Sequence, residues 1–470
     1  MRRRQVRHLG SAPARQGTIL IVTMWIVLVL AGLVLVLARA MRVEAVCSAN
    51  ETSCLQADAV EQGAIQYVLS RVDSLQGELP DEADTPCQAV RIGAGAFWIV
   101  RPDFDDDHAC AYGIVDEASK VNVNHASQAM LLKIPDMTDE LAACLADWRD
   151  GDSDISPGGA ESEYYLLGSD PYECKNAPLE TVEEMFLVKG ADEQILFGED
   201  ANRNGVLDAN EDDGDACEPP DNRDGRLDRG VAPFVTVYTA EPSTDSGGQP
   251  RVNVNDAQGQ ALSDVLRQSM SADRVAAVMD LARRRRPFRN VLDFYVRTGL
   301  TLSEFQPIAD QLTAGSQNVL SGLINVNTAP REVLACLPGL DDNDVSSLLA
   351  RRSDTSTDVS CIAWVAEALR PSQGSANDAF IQKVAGIGSL ITVRSFQFSA
   401  DIVSLSGDGR AFRRCRVVVD ATSSPPKVIY RQDLTHLGWP LSPDIMAKAR
   451  SGGGIEDVAA GQTIRQEVSR

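Results

Sequence analysis

Residues 17–44 constrain the chain more than any other stretch. After Gly17 an uncharged run of twenty-one residues, 18–38, leads into Arg39, Arg42 and Glu44. At about 1.5 Å rise per residue, such a run reaches about 30 Å as a helix, the thickness of a bilayer's hydrocarbon core. A chain carrying it is expected to cross a membrane once. The leader ahead of it holds Arg2, Arg3, Arg4, Arg7, Arg15 and His8 and no acid. Positive flanks stay on the cytoplasmic side, so the bulk of the protein is expected on the other. The apolar core is too long for a cleaved secretory signal, which needs a shorter core followed by a small-x-small site.

Gly17 precedes the apolar run and directly follows Arg15 and Gln16. A small residue between a basic leader and a membrane helix resembles the prepilin-type signal of type IV pilins and type II secretion pseudopilins. That resemblance implies that a prepilin peptidase in the inner membrane cuts after Gly17 and leaves Thr18 as the first mature residue, with the helix still attached. An uncut signal anchor is the competing reading. Most pilins of this class carry a glutamate at the fifth mature position, where this chain has Val22. A carboxylate in lipid is costly unless paired. Among pseudopilins its absence is typical of the large minor subunit, general secretion pathway protein K.

Beyond the membrane run, apolar residues recur at three- and four-residue steps over 39–75 and predict that the helix continues. A polar, proline-bounded loop follows at 77–86. Val-, Ile- and Phe-rich alternation predicts strands at 96–101 and 111–115, joined by an acidic turn at 103–107, and again at 390–400, 413–421 and 427–434. The expected fold class is therefore α+β: a pilin-like N-terminal transmembrane helix and antiparallel sheet, interrupted by a large α-helical insertion. The expected boundaries are a leader at 1–17, membrane helix and first half-domain at 18–120, insertion at 121–388, second half of the sheet at 389–436, and a tail at 437–470. Few large apolar residues follow 442, which predicts disorder there.

The insertion carries an internal repeat. Val121-Asn-Val-Asn-His-Ala126, Val252-Asn-Val-Asn-Asp-Ala257 and Ile324-Asn-Val-Asn-Thr-Ala329 share one six-residue pattern. Three occurrences of it point to a duplicated unit. Each is followed by two helical stretches ending near Arg149, Arg283 or Arg351, and then by a further helix at 181–188, 291–296 or 362–368. The third copy resembles a helix-hairpin-helix (SAM-like) unit. In nucleic-acid-binding examples the hairpin offers backbone N–H groups and basic side chains to phosphate. Here the hairpin holds Asp341, Asp342 and Asp344, which oppose phosphate, so a packing role is expected and no nucleic-acid partner. The net charge of −23, about −28 once the five leader arginines are removed, points the same way and favours bound cations. The run 283–286 is four arginines, a composition that suits a solvated helix C-terminus.

A cation site is written into 200–211. Asp200, Asn202, Asn204 and Asp208 supply oxygen at positions 1, 3, 5 and 9 of an EF-hand loop. Gly205 makes the turn at 6, the Val206 carbonyl falls at 7, and Glu211 can close bidentately at 12. Downstream, Asp221, Asn222, Asp224 and Asp228 surround Gly225 in a second, incomplete pattern. Its twelfth position is Val231, so Asp213 or Asp215 is expected to help complete it. The expected ligand is calcium, one or two ions, because so many protein oxygens suit its large, flexible shell better than magnesium's. Motifs at 147–152, 157–161, 175–179, 187–190 and 210–215 also look like those of protein K, extending the resemblance from Arg15 to about Gln432.

No catalytic constellation is visible. Four histidines, His8, His108, His125 and His436, stand in no ligand or triad spacing, and no phosphate loop is present. Of ten cysteines, Cys336 with Cys361 and then Cys144 with Cys174 are the preferred disulfide pairs for an exported chain. The resemblance implies a minor pseudopilin of the type II secretion system that caps or initiates a periplasmic pseudopilus. Its implied partners are minor pseudopilins I and J, other pseudopilins and the prepilin peptidase. An anchored calcium-binding scaffold or adhesin outside any filament is the alternative.

Overall fold

The computed structural model describes residues 16–73, 75, 77, 78, 80, 85–214, 216, 219–256, 259–371 and 378–451. Helix α1, Gln16–Asp73, runs unbroken for 58 residues. Its first part is apolar on every side up to Ala38, as a helix that crosses lipid must be, and exposed from Ile19 to Val46. The pattern then changes. Ala57, Val60, Ala64, Ile65, Val68 and Val72 fall at helical spacing on one buried stripe. Gly17 and Thr18 lie within α1, near its first turn.

That stripe packs on a seven-stranded sheet. Its strands are β1 (Val90–Ile92), β2 (Gly95–Arg101), β3 (Ala111–Tyr112), β4 (Val115–Asp116), β5 (Gln397–Leu405), β6 (Phe412–Asp420) and β7 (Lys427–Asp433). The antiparallel order is β1-β2-β5-β6-β7, with β3 paired to β2 and β4 to β5. Strands from the two ends of the chain therefore form one sheet. Ile402 sits opposite Ile99 across β5 and β2, and Asp116 opposite Phe398 across β4 and β5. Phe97, Ile99, Phe398, Ala400, Ile402, Val417 and Val419 meet α1. Alternate residues Ala96, Trp98, Val100, Val403 and Leu405 face the other way, the two-residue period of a strand buried on both sides.

What covers that second face differs from expectation. Residues Pro443–Arg450 form helix α2, which seats Leu441, Ile445 and Ala449 against Trp98 and Leu405. The expected disorder after 442 is thus corrected for 443–450. Three apolar contacts are few in a sequence window yet suffice when each is buried at about 1.5–3 kcal/mol per large side chain. Residues 452–470 lie outside those described. The strand expected over 390–400 also divides: Ile391–Thr392 belongs to the insertion, and β5 begins only at Gln397.

The insertion separates the two halves of the sheet and contains the three repeats. Each is closed by a short parallel strand pair: Val121 beside Val235, Val252 beside Leu312, and Ile324 beside Ile391. Each encloses a helical hairpin, Gln128–Leu131 with Asp139–Arg149, Gln260–Leu266 with Ala272–Arg285, and Arg331–Ala335 with Asp342–Ser353. One continuous apolar core joins all three.

The repeated asparagines explain the motif. Asn122, Asn253 and Asn325 each accept the N–H two residues on and fix the turn. Asn124 and Asn255 clamp the backbone of Leu179 and Phe288 through both amide atoms. Asn327 donates to the Val359 carbonyl and accepts from the Trp364 indole. Arg149 donates to the carbonyls of Val123 and Ala126, and Arg352, one residue past the expected Arg351, does the same to Val326 and Ala329. In the third hairpin, Asp341 and Asp344 form a capping box on the Asp342–Ser353 helix, so these carboxylates start a helix.

The expected disulfides are absent. Cys336, Cys361, Cys144 and Cys174 are buried thiols. The sulfurs of Cys336, Cys144 and Cys174 approach the carbonyls of Glu332, Gly158 and Asp147.

Candidate metal centre

The loop at 200–211 hangs between the insertion and the sheet. Arg203 and Gly205 take positive φ, 55° and 73°, which lets the chain fold back within a few residues. The Asp200 carboxylate accepts from the N–H groups of Asn204 and Gly205, both at 2.9 Å. Asn202 Oδ1 accepts from Asn204 N at 3.0 Å and Asn204 Oδ1 from Val206 N at 2.7 Å. Glu211 reaches back to Ala201 N and Asp208 N, one oxygen to each, both at 3.0 Å. Both asparagine amides donate to Asp208 Oδ2, at 2.7 and 3.1 Å. The expected side chains at positions 1, 3, 5, 9 and 12 are thereby gathered around one turn.

The electrostatics of the loop are those of a group wanting a positive partner. Glu211 is 1% exposed. Burial, with Asp200 and Asp208 beside it, pushes its carboxyl up to about 7. Burial also raises Asp200, against the N–H groups that hold it down. Among the described residues no three His, Cys, Asp or Glu side chains make a ready cluster. The donor set here mixes carboxylates with asparagine oxygens and a backbone carbonyl, which suits a hard cation that takes oxygen.

The second loop copies the first turn for turn. Arg223 and Gly225 have φ of 56° and 72°. Asn222 Oδ1 accepts from Asp224 N and Asp224 Oδ1 from Arg226 N, both at 2.8 Å. The closing carboxylate comes from outside: Glu199 accepts from Asn222 N at 3.4 Å and Asp228 N at 3.3 Å. Asp136 stands beside Asp228, and burial, with the Asp228 charge, lifts Asp136 to about 6. Asp213 meets Asp221 through its own backbone N–H, and Asp221 spends its other oxygen on Arg223 N. Asp215 lies outside the described residues. Glu199 and Asp136 were not expected as members. Glu199 adjoins Asp200 in sequence and was open to notice, whereas only folding brings Asp136 near.

The first loop is fastened to the sheet on several sides. Arg414 of β6 is wholly buried and pairs with Asp401 of β5 through two bonds, 3.0 and 2.8 Å. Its remaining donors reach Asn202 O at 2.5 Å and Arg203 O at 2.6 Å. Arg229 ties Asp107 at 2.6 Å, and the Asp103 and Gly205 carbonyls, into the same junction. Leu207 N donates to Asp107 O at 2.7 Å. The acidic turn of 103–107 thus holds the loop against β2.

A second buried carboxylate holds the sheet to the third repeat. Asp116 of β4 accepts from Asn325 at 3.0 Å, Thr328 at 2.6 Å, Ser395 at 2.5 Å and Ala118 N at 2.8 Å. Burial outweighs these donors and pushes Asp116 up to about 6.

A membrane-length first helix that continues onto one antiparallel sheet, with a helical domain inserted between the halves of that sheet, defines a pseudopilin with an enlarged head. Two family models, both described as Type II secretion system (T2SS), protein K, match residues 116–197 and 324–382. Over those two segments the chain is similar to protein K, and the matches support a minor pseudopilin of type II secretion. No curated protein matches it in sequence. Its structure is similar to a chain of the GspK-GspI-GspJ complex of enterotoxigenic Escherichia coli, with 14% identity and a TM-score of 0.39, over 81% of this chain and 96% of that one.

Proposed function

We propose that this chain caps or initiates the pseudopilus, with α1 in the inner membrane and the head in the periplasm. The observation that carries this is the change of character along α1. The helix is exposed and apolar on all sides below, and above it is loaded with an insertion that lies between β4 and β5. A bare helix can stack among others of its kind, whereas a head of that width cannot enter a shaft of stacked subunits. Cleavage after Gly17, giving Thr18 as the first mature residue, belongs to this reading. So does assembly with minor pseudopilins I and J, the partners named for the similar complex. The absence of a carboxylate at Val22 fits a terminal subunit, which has no neighbour's amine to meet.

Calcium is the cofactor of this reading. Asp200, Asn202, Asn204, Asp208 and Glu211, with the Val206 carbonyl, would hold the first ion. Asn222, Asp224, Asp228 and Glu199, aided by Asp136, would hold a second. The ion would neutralise buried like charges that otherwise repel and so firm the junction between head and sheet. The role is structural, with no reaction assigned. N-terminal sequencing of protein extracted from membranes tests the core of the proposal: a first residue of Thr18 supports it, and an intact arginine leader leaves only an anchored calcium-binding scaffold.

A further inference from the structure

The first loop touches more than the sheet. Asn204, at its fifth position, spreads its amide over three partners. Oδ1 accepts Val206 N within the loop, while Nδ2 donates to Asp208 Oδ2 and, outside the loop, to Pro440 O, both at 3.1 Å. Asn204 is buried at this contact and so is Pro440. Pro440 stands between Trp439 and Leu441, the start of the segment that carries α2 onto the outer face of the sheet. Trp439 meets Trp98 edge-on at 6.0 Å between ring centres and Phe412 at 5.4 Å. The same segment is anchored at its beginning by Arg414, whose backbone N donates to Thr435 Oγ1 at 3.1 Å and whose carbonyl accepts Leu434 N at 2.8 Å. The Arg414 guanidinium, meanwhile, holds the carbonyls at loop positions 3 and 4. Two residues thus connect the loop to the 434–450 segment, one at each end of its approach to the sheet.

The geometry points to a cation-dependent latch: an ion at 200–211 docks the C-terminal segment 434–450 through Asn204 and Arg414, and so completes the cover over Trp98. This rests on the reading of 200–211 as a calcium loop. An ion drawn to Asn204 Oδ1 fixes the amide plane and aims Nδ2 at Pro440. It also holds the 202–203 backbone where Arg414 can reach it. Without the ion, the repelling carboxylates of Asp200, Asp208 and Glu211 loosen both contacts at once. The α2 contacts, Leu441, Ile445 and Ala449, are then left to hold an eight-residue helix alone, which is too short to be stable by itself. A chain that reached a calcium-rich compartment would close this cover there and not before.

Hydrogen exchange on the full chain in detergent, with calcium or with a chelator, tests the latch. Amides of 444–450 are expected to exchange roughly tenfold or more slowly with calcium. Ile445→Asp, remote from the loop, keeps α2 off the sheet whether or not an ion is bound, and by linkage is expected to weaken calcium binding about tenfold in calorimetry. Trp439 fluorescence, assigned by comparison with Trp439→Phe, is expected to respond to calcium in the parent and not in Ile445→Asp. Calcium binding in the parent with unchanged exchange over 444–450 would overturn the latch and leave the calcium reading standing. Unchanged calcium affinity in Ile445→Asp would overturn it as well. Failure of the parent to bind calcium at all would remove the underlying reading and the latch together.

Discussion

The loops at 200–211 and around Gly225 turn alike and are supported differently. The first takes all its expected side chains from one dozen consecutive residues, and it is pinned to β6 by Arg414 and to the 103–107 turn by Arg229. The second borrows Glu199 and Asp136, and on its outer side Arg223 reaches no further than the Asp213 carbonyl. A self-sufficient donor set has been placed where it joins two domains, and a composite one where it only closes a surface turn. Local geometry can therefore be duplicated while structural consequence is not, because consequence comes from what the backbone carbonyls outside the turn are bonded to.

Breaking the pin is the severest test of that contrast. Arg414→Met leaves buried Asp401 with only Arg416, 3.7 Å away, and two loop carbonyls without donors, and is expected to cost about 3–5 kcal/mol in denaturant unfolding of the full chain. A loss below about 1 kcal/mol would mean the first loop is no better supported than the second. The next effect separates the loops by their closing carboxylates. Glu211→Gln should weaken the tighter calcium-binding step by about a hundredfold, roughly 3 kcal/mol, in calorimetry. Glu199→Gln should leave that step alone and weaken a second step by about tenfold. If the two variants behaved alike, the loops would form one shared site.

The pH dependence of the junction sharpens the comparison from the other side, where no ion is involved. Asp116 binds its proton more tightly folded than unfolded, so the stability it contributes is complete below about pH 4 and lost as pH rises through about 6. Against the parent, Asp116→Asn should lack that decline, a difference on the order of 2 kcal/mol between pH 4 and 7. Parallel stability curves for the two proteins would show that the donors of Asn325, Thr328 and Ser395 keep Asp116 ionised throughout. The smallest effect is expected at the second loop's exposed rim, where Arg223→Ala should change stability by no more than about 0.5 kcal/mol.

These contrasts also mark what could be read from the chain before folding. The membrane helix was legible because lipid demands apolarity on every side from Ile19 onward, and the buried stripe from Ala57 to Val72 because its period is local. The oxygen-bearing side chains that the first loop gathers were legible because that loop is contiguous. Glu199 was within reach. Asp136 and Arg414 were not, since their roles depend on where distant strands and hairpins come to rest. The helix at Pro443–Arg450 escaped notice because its order comes from Trp98, more than three hundred residues away. The run at 390–400 misled for a similar reason: its β-rich composition serves two different sheets, and nothing local marks the handover between Thr392 and Gln397.

Asp116 and Phe398 face each other across neighbouring strands although some 280 residues of chain lie between them. The point where the polypeptide leaves the small sheet and the point where it returns are paired on adjacent strands. A detour attached in that way meets the ladder at a few points, Asp116 and Arg414 among them, and away from those points it can be lengthened or exchanged while the ladder keeps its register. Diversity in the head can accumulate there with no renegotiation of the helix beneath.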